Sequence, residues 1–349
     1  MTVPGALMAA EVAEQPAVLA QILAGREQFA AAAERIAVAR PRFVLIAARG
    51  TSDHAGLYAK YLAEVVLQLP AGLVSPSALT VYGARPDMHD VLFIAVSQSG
   101  RSPDLVDSLS AARSHGALTV AVTNAIDSPL ADAAEIAIDV RAGAERAVAA
   151  TKSYTAELLS LYLLIAGNGA AESAEAAARL PELAAHLPEA AAATLALTPD
   201  DRLAAVAAPL QYAERLVLTA RGYSYATARE GALKLMETSY LSAMAFSGAD
   251  LLHGPLAMID RSVPVIAITS PGRGGEAMEP VIERLADLGA HVLRVGDPDG
   301  LPIAGDGLPE ELLPVLEILP LQQLAWRLAL DRGIDPDRPR GLSKVTQTL

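Results

Sequence analysis

The 349-residue sequence contains no cysteine. Disulfides, thiolate metal sites and a cysteine nucleophile are therefore excluded within it, and the lack agrees with a reducing cytoplasm. Positive charge is also scarce: 27 Lys and Arg face 40 Asp and Glu, a formal charge of −13. No basic face remains for nucleic acid or anionic lipid, so any phosphate must be gripped by a local site against an unfavourable overall field. Long apolar runs are missing as well. Stretches such as Leu158 to Ala166 are too short to cross a bilayer, and Met1 to Gly25 carries Glu11 and Glu14 where a signal peptide needs a basic start and an apolar run. A cytoplasmic protein with no membrane or nucleic-acid partner is expected. No Gly-x-x-x-x-Gly-Lys-Ser/Thr loop occurs, and His89, His115, His186 and His291 show no ligand spacing, so neither a cofactor nor a metal is expected.

What the sequence does have is apolar residues, 52% of the total, enough for about two domains with large cores. The run Val91 to Val96 breaks into Ser97-Gln98-Ser99-Gly100-Arg101-Ser102-Pro103-Asp104, which reads as a buried parallel strand feeding a helix. Three hydroxyls and an amide lie in that turn beside the unpaired N–H groups that open a helix, a combination suited to an anion. The same strand-turn-helix order appears at Arg42 to Leu67, through Gly50-Thr51-Ser52, and at Leu118 to Ala134. Strands alternating with helices predict a doubly wound parallel α/β sheet. Residues 6–38 predict two short helices outside the first sheet, the second starting at Pro16. Residues 135–140 predict a fourth strand, and Val148 to Thr155 opens a long apolar helix reaching about Gly167. Ala, Glu and Leu at helical spacing continue to about Leu210.

The second half repeats the first. Ala48-Arg49-Gly50-Thr51-Ser52 returns 172 residues later as Ala220-Arg221-Gly222-Tyr223-Ser224, and Gly100-Arg101 returns at the same offset as Gly272-Arg273. Two tandem copies of one α/β domain are expected, about half the chain each. They are chemically unequal, because Ser97-Gln98-Ser99 is matched by Thr269-Ser270-Pro271, and Pro271 has no N–H to offer an anion.

These residues resemble the double sugar-isomerase (SIS) domain, as found in the isomerase half of glutamine–fructose-6-phosphate aminotransferases and in stand-alone glucosamine-6-phosphate deaminases. The carriers are A-R-G-T-S at Ala48 to Ser52, S-Q-S-G-x-S at Ser97 to Ser102 and V-A-x-T-K at Val148 to Lys152. E-G-A-L-K-L-x-E-x-S-Y at Glu230 to Tyr240, H-G-P at His253 to Pro255 and D-x-P-R-x-L-x-K at Asp337 to Lys344 complete the set. The resemblance implies two tandem flavodoxin-like domains at 39–168 and 211–336, N-terminal helices at 1–38, a helical connection at 169–210 and a tail at 337–349 folded over the site. It places sugar phosphate on Ser52, Ser97, Gln98, Ser99 and Ser102, with Thr51 and Val148 beside it. It makes Glu237 the base at sugar carbon 2, with Lys234 before it on the helix, His253 the ring-opening group and Lys344 the tail cation. It also implies a homodimer with the active site at the subunit interface.

Two positions depart from the family pattern. Ala150 stands where Ser is usual in V-A-S-T-K, and Leu252 stands where Lys is usual before H-G-P. The implied chemistry is ring opening of an amino-sugar 6-phosphate followed by removal of the carbon-2 proton. Isomerisation or deamination of glucosamine 6-phosphate is expected, and β-elimination from N-acetylglucosamine 6-phosphate is the alternative. The family's glutamine-hydrolysing domain has no counterpart in this sequence, so glutamine-dependent synthesis is not expected. A non-catalytic sugar-phosphate sensor is the reading from another class, and it leaves Glu237 and His253 without a task.

Overall fold

The computed structural model describes residues 3–169 and 182–344, and within them lie two parallel sheets, each in its own compact body. Of the described residues, the first body takes those within Ala17–Glu145, Lys152–Ala185 and Ser343–Leu349, and the second those within Met1–Pro16, Arg146–Thr151 and His186–Leu342.

The chain opens with α1 (Ala6–Ala24) and α2 (Glu27–Ala39). Pro16 does not start a second helix but lies inside α1. Its missing N–H would orphan the Val12 carbonyl, and the Gln15 side-chain amide donates to that carbonyl at 3.0 Å. The expectation that both helices lie outside the first sheet is also corrected, since the residues up to Pro16 belong to the second body. There Glu11 accepts the N–H groups of Arg146 and Ala147, and Gln15 donates to Gln322 at 2.8 Å.

The first sheet is built from β1 (Phe43–Ala47), α3 (Thr51–Val65), β2 (Ala71–Leu73), α4 (Pro76–Thr80), β3 (Val91–Ser97), α5 (Pro103–Ser114), β4 (Leu118–Thr123), α6 (Pro129–Ala133) and β5 (Ile136–Asp139). Its strand order is β2-β1-β3-β4-β5 and every pairing is parallel. The expected fourth strand is thus the fifth, because β2 has only three residues and no apolar run of its own. All of β3 is buried, which is why Val91 to Val96 is apolar without alternation. Phe93, Leu105, Leu109 and Leu130 form the core on one face. The helix α7 (Lys152–Gly169) packs against α2 and α3 and is buried from Lys152 to Ala166.

The second body contains α8 (Leu187–Ala196), α9 (Asp200–Ala207), β6 (Arg215–Ala220), α10 (Ser224–Ser239), β7 (Ser242–Ser247), α11 (Gly248–Leu252), β8 (Val265–Ile268), α12 (Arg273–Glu276), α13 (Glu279–Asp287), β9 (Val292–Val295) and α14 (Leu313–Asp331). Its strand order, β7-β6-β8-β9, is again wholly parallel. The two sheets are two copies of one plan, since the 172-residue offset carries β1 onto β6 and β3 onto β8. α10 packs between β6 and α14 so closely that a Cβ on Gly231 would lie 2.9 Å from Leu218 and 3.0 Å from Leu321. Of the helical connection expected over 169–210, residues 170–181 lie outside the described residues, as do tail residues 345–349. Among the described residues no helix is long and apolar enough to cross a membrane.

Candidate active site

In both sheets the winding direction reverses beside the first strand, between β1 and β3 and between β6 and β8. The crevice at the carboxyl ends of such a strand pair is where doubly wound sheets bind ligands. In the first body two turns flank it, Ala48 to Ser52 after β1 and Ser97 to Ser102 after β3. Gly50 and Gly100 bend these turns at φ 57° and φ 61°. At Gly100 a Cβ would also lie 2.0 Å from the Ser128 hydroxyl, so glycine serves both the bend and the close approach of the next loop. The Arg49 guanidinium bonds the buried Asp104 at the start of α5 at 2.8 Å, joining the two turns.

The hydroxyls in these turns differ in polarity. Ser97 is buried and its oxygen accepts the Gly100 N–H at 3.2 Å, while the Ser99 oxygen accepts the Arg101 N–H at 3.3 Å. Each keeps its own O–H proton to donate. Gln98 is half-buried, and so is Ser102, which precedes Pro103 at the start of α5 without capping the helix through its side chain. Ser52 is arranged the other way: its hydroxyl donates to Glu157 of α7 at 2.8 Å. Its proton is committed inside the fold, and toward a ligand it offers acceptor capacity. Thr51 opens α3, half-buried. Val148, also half-buried, lies in the Arg146–Thr151 segment of the second body. Lys344 returns to the first body, where its ammonium bonds Glu145 at 2.7 Å. Glu145 is buried in the irregular segment before α7 and also accepts the Ser153 N–H at 3.0 Å and the Ser153 hydroxyl at 2.8 Å.

In the second body α10 carries Glu230, Lys234 and Glu237 at i, i+4 and i+7, the spacing that stacks side chains on one helix face. Lys234 is fully buried, 2.5 Å from Glu237 and 3.3 Å from Glu230. Burial alone would pull its pKa down, but the two carboxylates, Glu230 first, outweigh that and hold it well above the ordinary lysine value. Lys234 is therefore a permanent cation. Glu230 is buried completely, whereas Glu237 keeps 20% of its side chain exposed, so Glu237 is the member that can meet a ligand. Just beyond, Tyr240 ends the helix at φ 55°, its hydroxyl accepts the Arg340 N–H at 2.8 Å and its ring lies 4.3 Å from the Arg340 guanidinium. Asp337 accepts the N–H groups of Leu7 and Met8 at the start of α1, so this part of the tail is fastened within the second body. His253 follows α11, exposed beside Leu252, which is 42% exposed. Among the described residues no hydrogen bond or ion pair links His253 to Glu237.

The sequence reading did not single out Glu145, Glu157 or Glu317. For Glu157 and Glu317 the signal was a lone glutamate within a long run of apolar residues, since buried charges require partners; Glu145, before α7, had no such signal. Glu317 in α14 accepts the Ser224 hydroxyl at 2.8 Å and the Thr227 hydroxyl at 3.0 Å.

The SIS domain family model matches residues 37–167 and 210–306. The chain belongs to the SIS domain family. A glutamine–fructose-6-phosphate aminotransferase of Methanothermobacter thermautotrophicus is 35% identical over 347 residues, covering 97% of this chain and 56% of that protein. The chain thus spans about half the length of that curated relative. A crystal structure from Silicibacter pomeroyi, of a protein whose name, phosphosugar isomerase, is provisional, superposes with a TM-score of 0.84 at 32% identity, covering 96% of this chain and all of that one. The C-terminal domain of the glucosamine–fructose-6-phosphate aminotransferase of Francisella tularensis gives 0.84 at 25% identity, covering 95% of this chain and 98% of that chain. The fold is that of tandem SIS domains.

Burial pushes the Glu317 carboxyl up from 4.5 to about 7, with the Ser270, Ser224 and Thr227 hydroxyls opposing the rise and Glu310 adding to it. The neutral form is thus favoured in the fold. Stability from this group is fully present below pH 4.5 and is lost as pH rises toward 7, an effect of about 3 kcal/mol. Glu317→Gln is expected to remove that slope, so that its melting temperature relative to wild type is higher at pH 8 than at pH 5. A constant difference across that range would refute the assignment.

Proposed function

We propose that this protein is a sugar-phosphate isomerase-type enzyme that opens an amino-sugar 6-phosphate and moves the proton at carbon 2, with glucosamine 6-phosphate isomerisation or deamination as its reaction. The observation that carries this reading is the Glu230–Lys234–Glu237 ion triad of α10, in which a buried permanent cation fixes one carboxylate in the interior and holds the other where a ligand can reach it. Membership of the SIS family and the relatives' names support the same chemistry.

In this mechanism the Ser97 to Ser102 turn holds the phosphate, since the Ser97 and Ser99 hydroxyls retain donating protons and stand with backbone N–H groups at the start of α5. His253 passes the ring-oxygen proton to open the sugar. Glu237 takes the carbon-2 proton as the electron pair moves toward the carbon-1 carbonyl, giving an enol-type intermediate. Lys234 stays protonated and orients Glu237. Lys344, with two ammonium N–H groups beyond the one on Glu145, is the cation for the developing oxyanion. Returning the proton to carbon 1 completes isomerisation. If carbon 2 bears a free amine, the product is an imine that water splits to a ketose and ammonia. The exposed His253 and Leu252 are the surface through which a second subunit of a homodimer would share the site.

Three experiments test this reading. Ser97→Ala with Ser99→Ala is expected to raise KM by a factor corresponding to about 2–4 kcal/mol, since hydrogen bonds to a charged group are worth roughly 1.5–3 kcal/mol each; an unchanged KM in folded protein removes the phosphate assignment. Glu237→Gln keeps size and reach but loses the basic site, and is expected to cut kcat by about two to four orders of magnitude and to stop exchange of the carbon-2 proton with deuterated water. The assay runs on glucosamine 6-phosphate with ammonia and ketose detection and, separately, on N-acetylglucosamine 6-phosphate with ultraviolet detection of an unsaturated product. Near-normal exchange in the variant overturns the mechanism, and turnover of the acetylated sugar alone replaces isomerisation with β-elimination. Finally, mixing Glu237→Gln and His253→Ala subunits is expected to restore activity through hybrid dimers, and no recovery after verified subunit exchange argues for self-sufficient subunits.

A further inference from the structure

The two copies place the same turn at the same point of their sheets, yet the second turn is already occupied. Glu310, at the start of a 3-10 turn running to Leu312, directs its carboxylate at the turn after β8. One oxygen accepts the Arg273 N–H at 2.8 Å and the other accepts the Gly274 N–H at 2.8 Å. By the 172-residue offset these N–H groups correspond to those of Arg101 and Ser102 in the first copy. The carboxylate lies in a cradle of glycines. A Cβ on Gly272 would come within 2.6 Å of the Glu310 carboxyl carbon, and one on Gly274 within 2.9 Å of its oxygen. Gly222, the counterpart of Gly50 in the first turn, faces the same carboxylate, with a hypothetical Cβ 3.9 Å away. Where the first copy has Ser102, whose side chain would fill this seat, the second has Gly274.

We propose that Glu310 is an internal anion that takes the place of phosphate in the second copy and so confines anion binding to the first. The observations converge from independent sides: two N–H groups aimed at one carboxylate, glycines at both positions where a side chain would evict it, and the loss of the donors at Ser99 and Ser102 to Pro271 and Gly274. A carboxylate fixed by two N–H donors neutralises the turn without a bound ligand and repels a second phosphate by like charge. This rests on the phosphate role proposed for the first turn but not on the chemistry at carbon 2.

The test uses the full chain carrying Ser97→Ala and Ser99→Ala, which silences the first turn, with inorganic phosphate as probe. Adding Glu310→Ala is expected to lower Tm by roughly 3–8 °C, and phosphate is expected to recover part of that loss by binding the vacated N–H groups. If phosphate shifts the melting of both proteins equally, or if Glu310→Ala leaves Tm unchanged, the proposal is overturned. A second measurement stands apart from phosphate. Gly272→Ala places a Cβ whose three nearest neighbours are all atoms of Glu310, at 2.6–2.7 Å, and its loss of stability is expected to shrink when Glu310 is already alanine, because there is no carboxylate left to evict. Strictly additive losses overturn the proposal as well, and Glu310→Gln gives the same comparison if the alanine variant does not fold.

Discussion

A carboxylate inside a helix of apolar residues must find hydrogen-bond donors, and in each copy of this chain that requirement joins the long closing helix to the turn after the first strand. Glu157 of α7 takes the Ser52 hydroxyl and Glu317 of α14 takes the Ser224 hydroxyl, both at 2.8 Å. Removing either partner would leave a buried polar group unpaired, at a cost of about 1–3 kcal/mol or more when it is charged. The link therefore fixes where α3 and α10 begin, and with them the crevice on one side and the helix of Lys234 and Glu237 on the other. Everything assigned to chemistry rests on turns that this pairing holds in place.

The copies share a scaffold and divide the work. In the first, the turn after β3 has serines whose oxygens accept backbone N–H groups and whose own protons remain to be donated. In the second, the corresponding turn is closed by a carboxylate, and the ion triad stands on the helix after β6. Duplication permits this: on the proposed assignment of phosphate to the first crevice, the second is free of that constraint and can lose its hydroxyls, provided its N–H groups are satisfied in some other way.

The doubly wound sheets and their duplication were legible because a parallel strand buried on both faces writes an unbroken apolar run, and because the recurring turns kept their glycines at one offset. β2 was not legible, since three residues at a sheet edge leave no periodic signal. Pro16 misled because its cost in a helix interior is offset by one side-chain bond from Gln15 that no spacing rule shows. For the site, Lys234 and Glu237 could be paired from their i, i+3 spacing, yet the burial of Lys234 and the second carboxylate at Glu230 that keeps it charged in spite of that burial depend on tertiary packing, with α14 against α10. Ser52 was read as one of the residues holding the phosphate, and only the contact with Glu157, more than a hundred residues away, shows that its own proton is committed inside the fold.

The composition of the two bodies bears on how the chain can fold as it is made. Neither body is one continuous stretch: residues up to Pro16 belong with the second, while the tail from Ser343 returns to the first. The segment with Glu11 and Gln15 must wait for partners at Arg146 and Gln322 before its buried polar groups are met. The first sheet, complete by Asp139, still lacks Lys344 for its buried Glu145 until a residue 199 positions further along has been made. No single cut between the two sheets yields two intact halves, because each body takes in a segment that lies beyond the other in sequence.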